Sequence, residues 1–127
     1  MMINYKYKFA KKLESEEEYR KVADDLLRFA QKESSLDMDE FPVSLMISPK
    51  SFAAFSEHSE YFAIAYDTAM CLMGDRLKRL ANEGAEDQGF ALEMQSFHDY
   101  KHRKWRNSLK LSDEDIAARK KAYIDRS

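Results

Sequence analysis

Three histidines and one cysteine are the side chains in this sequence best suited to metal binding or nucleophilic work near neutral pH. His98 and His102 stand four apart on an expected helix, a spacing that sets two imidazoles on one face within reach of one metal. Glu93 and Asp99 do not complete a ligand set, and Lys101, Arg103 and Lys104 would repel a cation, so a solvated basic face is the better reading and no metal is expected. His58 lies between Glu57 and Glu60, a trio with the types needed for acid–base chemistry. It falls at a helix junction, where capping and solvation account for it more cheaply. Cys71 sits in an apolar helical run and reads as a buried, inert thiol, while Ser15, Ser48, Ser59 and Ser112 read as helix caps rather than nucleophiles. No glycine-rich loop is present to cradle a phosphate, so no nucleotide or other cofactor is expected. Enzyme is the weakest class.

Cations mixed with rings offer a different chemistry. The stretch Tyr100-Lys101-His102-Arg103-Lys104-Trp105-Arg106 suits a phosphate backbone with a stacking ring beside it. The competing reading packs Tyr100 and Trp105 into the core and leaves the cations in water. Lys6, Lys8, Lys11 and Lys12 alternate with Tyr5, Tyr7 and Phe9 in a basic arm, which could order on a partner. Residues 14–40 between these stretches are strongly acidic. The net charge of −2 therefore conceals a bipolar chain, and the total alone does not argue for nucleic acid.

The elements that must position these groups are helices. A charged fraction of 35% with three Gly and two Pro in 127 residues is the composition of helices joined by short turns, and no sustained alternation of β-branched residues marks a strand. The expected fold is all-α: a basic arm over 1–14, a helical domain over 15–110, and a charged C-terminal helix over 111–127. Ser15 with Glu18 forms a capping box, and Tyr19, Val22, Ala23, Leu26, Leu27 and Ala30 follow as one apolar stripe. A short helix is expected from Asp39 to Met46, another from Ser48-Pro49 to about His58, and a long one from Ser59 to Gly84. Two short helices, around Phe90–Phe97 and Tyr100–Leu109, should come next, and Ser112 with Asp115 caps the last. Apolar residues nearly encircle the long helix, which favours self-association unless it is the central helix of the core. Residues 1–12 carry no apolar signal segment, and no apolar run approaches the roughly 20 residues that span a bilayer, so a cytoplasmic protein without a membrane partner is expected.

The segment of about 39–57 has the dimensions of a helix-turn-helix. Phe41, Leu45, Ile47, Phe52 and Phe55 occupy the offsets at which two short helices bury their inner angle, with Ile47 plugging the turn. Met46 stands where glycine is favoured, and Pro42 where a small residue lets the helices approach. The same pattern also suits any compact three-helix core. The outward face of the second helix would carry Ser48, Lys50, Ser51, Ala53, Ala54 and Glu57. With Lys50 its only cation, that face would bind DNA weakly unless present in many copies or helped by the basic stretches.

Ile47-Ser48-Pro49-Lys50-Ser51-Phe52 is followed by Glu57-His58-Ser59-Glu60-Tyr61-Phe62-Ala63-Ile64-Ala65-Tyr66-Asp67-Thr68-Ala69, then by Gly74-Asp75-Arg76 and His98-Asp99-Tyr100-Lys101. In order and spacing, residues 41–105 resemble the small terminase subunits of tailed bacteriophages, the proteins that initiate DNA packaging. Ala54-Phe55 stands where that family usually has an aromatic-Trp pair. The resemblance implies a non-catalytic viral protein, acting in the host cytoplasm as a multi-copy ring built on the long helix. It would bind double-stranded DNA and deliver it to the large, ATP-hydrolysing terminase subunit. Lys50 and Ser51, with Lys6, Lys8, Lys11, Lys12, Lys101, Arg103, Lys104 and Arg106, are the expected DNA contacts. The alternative is a small helical phage-type accessory or inhibitor protein whose acidic first helix docks on a protein partner.

Overall fold

The computed structural model describes residues 13–83 and 88–109, together with Glu114, Ala117 and Lys121. Its elements are α1 (Glu16–Ala30), α2 (Glu40–Ser44), α3 (Pro49–Ala54) running into a 3-10 turn (Phe55–Glu57), α4 (Glu60–Asn82) and α5 (Gln88–Ser108). No strand occurs among the described residues, and the fold is all-α. The two short helices expected between Phe90 and Leu109 are one continuous helix. Of the final helix expected after Ser112, only Glu114, Ala117 and Lys121 are described, and all three are helical. The arm residues 1–12 lie outside the described residues.

The three serine caps form as their positions require. Ser15 Oγ accepts from Glu18 N, Ser48 Oγ from Ser51 N, and Ser59 Oγ from Phe62 N, each at 3.1–3.2 Å. Such a cap contributes about 1 kcal/mol by satisfying an amide that the helix leaves unbonded. The box at Ser15 closes one residue early, because the Glu18 carboxylate accepts from Glu14 N rather than from Ser15 N. Ser59 also donates its hydroxyl to the Glu16 carboxylate, which ties the start of α4 to the start of α1. The other end of α1 is closed by Arg76 of α4. Its guanidinium donates to Ala30 O at 2.8 Å and Ser35 O at 2.6 Å, so a buried cation meets the negative end of a helix and carbonyls that lack a helical partner.

α4 is the central helix. It packs against α1, against the 3-10 turn and against α5, and its buried positions, from Phe62 through Ala81, run around most of its circumference. The apolar surround read from the sequence is thus largely consumed within one chain. Phe52 is the hub of the core: its ring lies 5.1–6.0 Å from those of Phe41, Phe55, Phe62 and Tyr66, and it is fully buried. Tyr66 passes the stack on to Trp105 of α5 at 4.8 Å. Burying one such ring contributes up to about 3 kcal/mol. None of the helices among the described residues is long and apolar enough to cross a membrane.

Candidate nucleic-acid interface

The corner between α2 and α3 is built around one backbone conformation. Met46 adopts φ 61°, in the left-handed region, just after the end of α2. Ile47 N donates to Pro42 O at 2.9 Å and Met46 N to Val43 O at 3.0 Å, the paired bonds of a Schellman helix end. Ile47, the residue after the left-handed position, folds back into the core at 2% exposure, close to Pro42, whose carbonyl it bonds. Met46 thus occupies the position where glycine is favoured, and it does so with a side chain that is 57% exposed. Pro42 fits without loss, because at the first turn of α2 its missing N–H has no helical acceptor to lose. Asp39 stands at the N-cap of α2, but its side chain makes no capping bond.

This corner presents the start of α3 to solvent. Ser48 and Lys50 are exposed, whereas Ser51 is half-buried and its hydroxyl accepts from Ser48 Oγ at 3.1 Å, inside the cap. On α5, Arg103 and Lys104 are exposed, with Lys104 Nζ 5.9 Å from the centre of the Tyr100 ring. The other two expected contacts on α5 are engaged in the fold. Lys101 Nζ bridges Asp37 at 3.3 Å and Asp39 at 3.1 Å, fastening α5 to the α1–α2 connection. Arg106 bonds Asp67, from Nε and Nη2, both at 3.1 Å. Trp105 is 6% exposed and donates from Nε1 to Ser56 Oγ at 3.2 Å, so this ring is part of the core and is not placed to stack on a base. Lys6, Lys8, Lys11 and Lys12 lie outside the described residues. Lys50, Arg103 and Lys104 remain as the exposed cations of the expected set that the structure places.

Between α4 and α5 runs a polar seam that sequence reasoning missed. Asp67, 2% exposed, accepts from His102 Nε2 at 2.5 Å as well as from Arg106. His98 Nε2 donates to Met70 O at 2.7 Å, and its ring lies against Gly74, where a Cβ would come within 3.4 Å. Burial holds the His98 pKa below its ordinary value, which suits a neutral ring donating to a carbonyl. The two histidines therefore point their Nε2 atoms at different partners rather than at a common point. Asp67, Cys71 and His102 do bring three potential ligand atoms within 4.8 Å of one another. The guanidinium of Arg106 sits on the same carboxylate oxygen as His102 Nε2, and a cation there would meet a positive charge already in place. The donor set fits a buried ion-pair network better than a metal centre. Before α4, His58 is exposed and stacks 6.3 Å from Tyr19, with Glu57 and Glu60 also exposed. Among the described residues, nothing buries these three into a reactive pocket.

No protein-family model, curated protein or solved structure matches this chain. Function therefore rests on the geometry of the corner and of the two exposed cationic positions. The one signal that could have found the seam is an acid in the run Ala65-Tyr66-Asp67-Thr68-Ala69, where every other residue is small or apolar enough to pack.

Proposed function

We propose that this chain is a non-catalytic DNA-packaging protein of the small-terminase type, which binds duplex DNA as an oligomer and hands it to a large ATPase and nuclease subunit. The observation that carries the reading is the corner itself: a short helix, a left-handed Met46, a buried Ile47 and a serine-capped, proline-started helix whose exposed first turn bears Lys50. That arrangement offers the first turn of α3 to a groove, supported from behind by Phe52 and Phe55 on α4. Arg103 and Lys104 add phosphate contacts, and each cation that neutralises a phosphate contributes about 0.9 to the slope of log affinity against log salt. A single copy is a weak binder by this arithmetic, and linked copies multiply the slope.

Binding of a fluorescent duplex, followed by anisotropy across a salt series, tests the proposal. The full chain should bind with a marked salt dependence. Lys50→Glu should weaken binding similarly on all sequences, and Lys50→Ala should lower the salt slope by about 1 per engaged copy. Absence of binding at low salt, with the chain folded, would sink the DNA reading and turn attention to a protein partner.

A further inference from the structure

α5 carries an aromatic stripe on its outer face. Phe90 is 60% exposed, Phe97 61% and Tyr100 54%, while His98 and Trp105 on the inner face are buried. Counting along the helix, residues 90, 93, 97, 100, 104 and 107 recur at alternating intervals of three and four, the spacing of a coiled-coil seam. The seam reads Phe90, Glu93, Phe97, Tyr100, Lys104, Asn107.

We infer that this face is where a second copy of the chain docks, with the two α5 helices antiparallel about a twofold axis between residues 98 and 99. The charges select this occupant and this direction. In the antiparallel register Phe97 meets the partner copy's Tyr100, and Glu93 meets the partner copy's Lys104, so two aromatic pairs at the centre are flanked by two opposite-charge pairs. A parallel register would set Glu93 against Glu93 and Lys104 against Lys104, with like charges at both polar layers. The contact is isologous: one patch satisfies itself, as a twofold axis requires. In the single chain, Lys101 Nζ lies 4.7 Å from the centre of the Phe97 ring and Lys104 Nζ 5.9 Å from that of Tyr100. Those cations thus already cover the rings in part, and Lys104 has only to swing away from Tyr100 to reach the carboxylate opposite. α5 takes the assembly role that the long helix was expected to play, since α4 is enclosed by α1 and α5. The inference makes no use of DNA; in the dimer Lys104 pairs with the partner copy's Glu93, which leaves Lys50 and Arg103 as the exposed cations for phosphate.

Sedimentation of the full chain, in the absence of DNA, tests it through charge reversal. The unaltered chain should form a dimer or a multiple of two. Glu93→Lys and Lys104→Glu each turn both flanking pairs repulsive, and each should weaken the dimer by about tenfold or more. Combining the two should restore it. Residues 93 and 104 stand eleven positions apart on one helix, about 16 Å, so no contact within a chain explains such a rescue. A double variant no better than the single ones overturns the register. A monomer at all concentrations overturns the inference, and a loss of melting temperature on Phe97→Ser in that monomer would show that the face packs within its own chain instead.

Discussion

The α2–α3 corner and the α4–α5 seam are held by opposite kinds of interaction. At the corner, rings pack on rings: Phe41, Phe52, Phe55 and Phe62 meet with no hydrogen bond between their side chains, and the one conformational demand falls on the backbone of Met46. At the seam, hydrogen bonds and charges fix the contact through Asp67, His102, Arg106 and His98, beside the ring contact of Trp105 with Tyr66. Apolar packing is tolerant of direction, so it can seat two very short helices that could not persist alone. A buried carboxylate is intolerant: it admits partners only where their donors reach it, and so it fixes the rotation and register of α5 on α4. The difference explains why the corner leaves Ser48 and Lys50 exposed, while the seam turns Asp67, His98 and Trp105 inward and leaves Phe97 and Tyr100 exposed.

The sharpest way to break the comparison is to remove the hub of the corner. Phe52→Ala should cost about 3–5 kcal/mol, since the cavity it leaves is walled by four rings that cannot all collapse. Urea unfolding measures this, and a loss below about 1 kcal/mol would mean that the corner is not part of the cooperative core. At the seam, Asp67→Asn keeps the shape but removes the charge that two donors share. A cost of about 2–3 kcal/mol is expected, below the range for a wholly buried pair because Arg106 is partly exposed. The same substitution in an Arg106→Ala background should cost clearly less, since a pairwise interaction appears as non-additivity. Additive losses would show that Asp67 and Arg106 do not act together.

How much of this is legible in the sequence follows the same division. The corner is readable because its determinants are local: Ser48 and Pro49 start a helix, Ile47 and Phe52 lie at the right offsets, and Met46 occupies the glycine position. Ser15 and Ser59 likewise mark the starts of α1 and α4. The seam is not readable because its bonds join residues 28 to 39 positions apart, and because α5 inverts the usual pattern. A helix that buries His98 beside Trp105 and exposes Phe97 and Tyr100 breaks the apolar stripe that would mark its inward face, so its pattern suggests two short helices where there is one. The expected DNA contacts divide for the same reason: nothing local distinguishes Lys101 and Arg106, which meet acids distant in sequence, from Arg103 and Lys104, which face water.

A smaller effect sharpens the account of the corner. A side chain in the left-handed region costs about 1 kcal/mol relative to glycine, and the Met46 side chain is 57% exposed there. Met46→Gly should therefore stabilise the chain, by at most about 1 kcal/mol because glycine also frees the unfolded state. A destabilised variant would mean that the methionine side chain makes contacts worth more than the strain.

The smallest expected effect belongs to the seam and appears as a pH dependence. Burial lowers the His98 pKa from its ordinary 6.5, and the Met70 carbonyl and Asp99 oppose that shift, while His102 and Lys101 reinforce it. The sign follows from which state takes the proton first. Above pH 6.5 the ring is neutral both folded and unfolded, so its contribution is fully present. As pH falls below 6.5 the unfolded chain binds a proton that the folded chain resists, and stability drains away until the folded-state pKa is passed. His98→Gln retains an amide that can donate to Met70 O but does not titrate. The difference in unfolding free energy between the original chain and this variant should therefore shift against the original chain between about pH 7 and pH 5. A difference that stays flat over this range would place His98 in water, and with it the packing of α5 against Gly74.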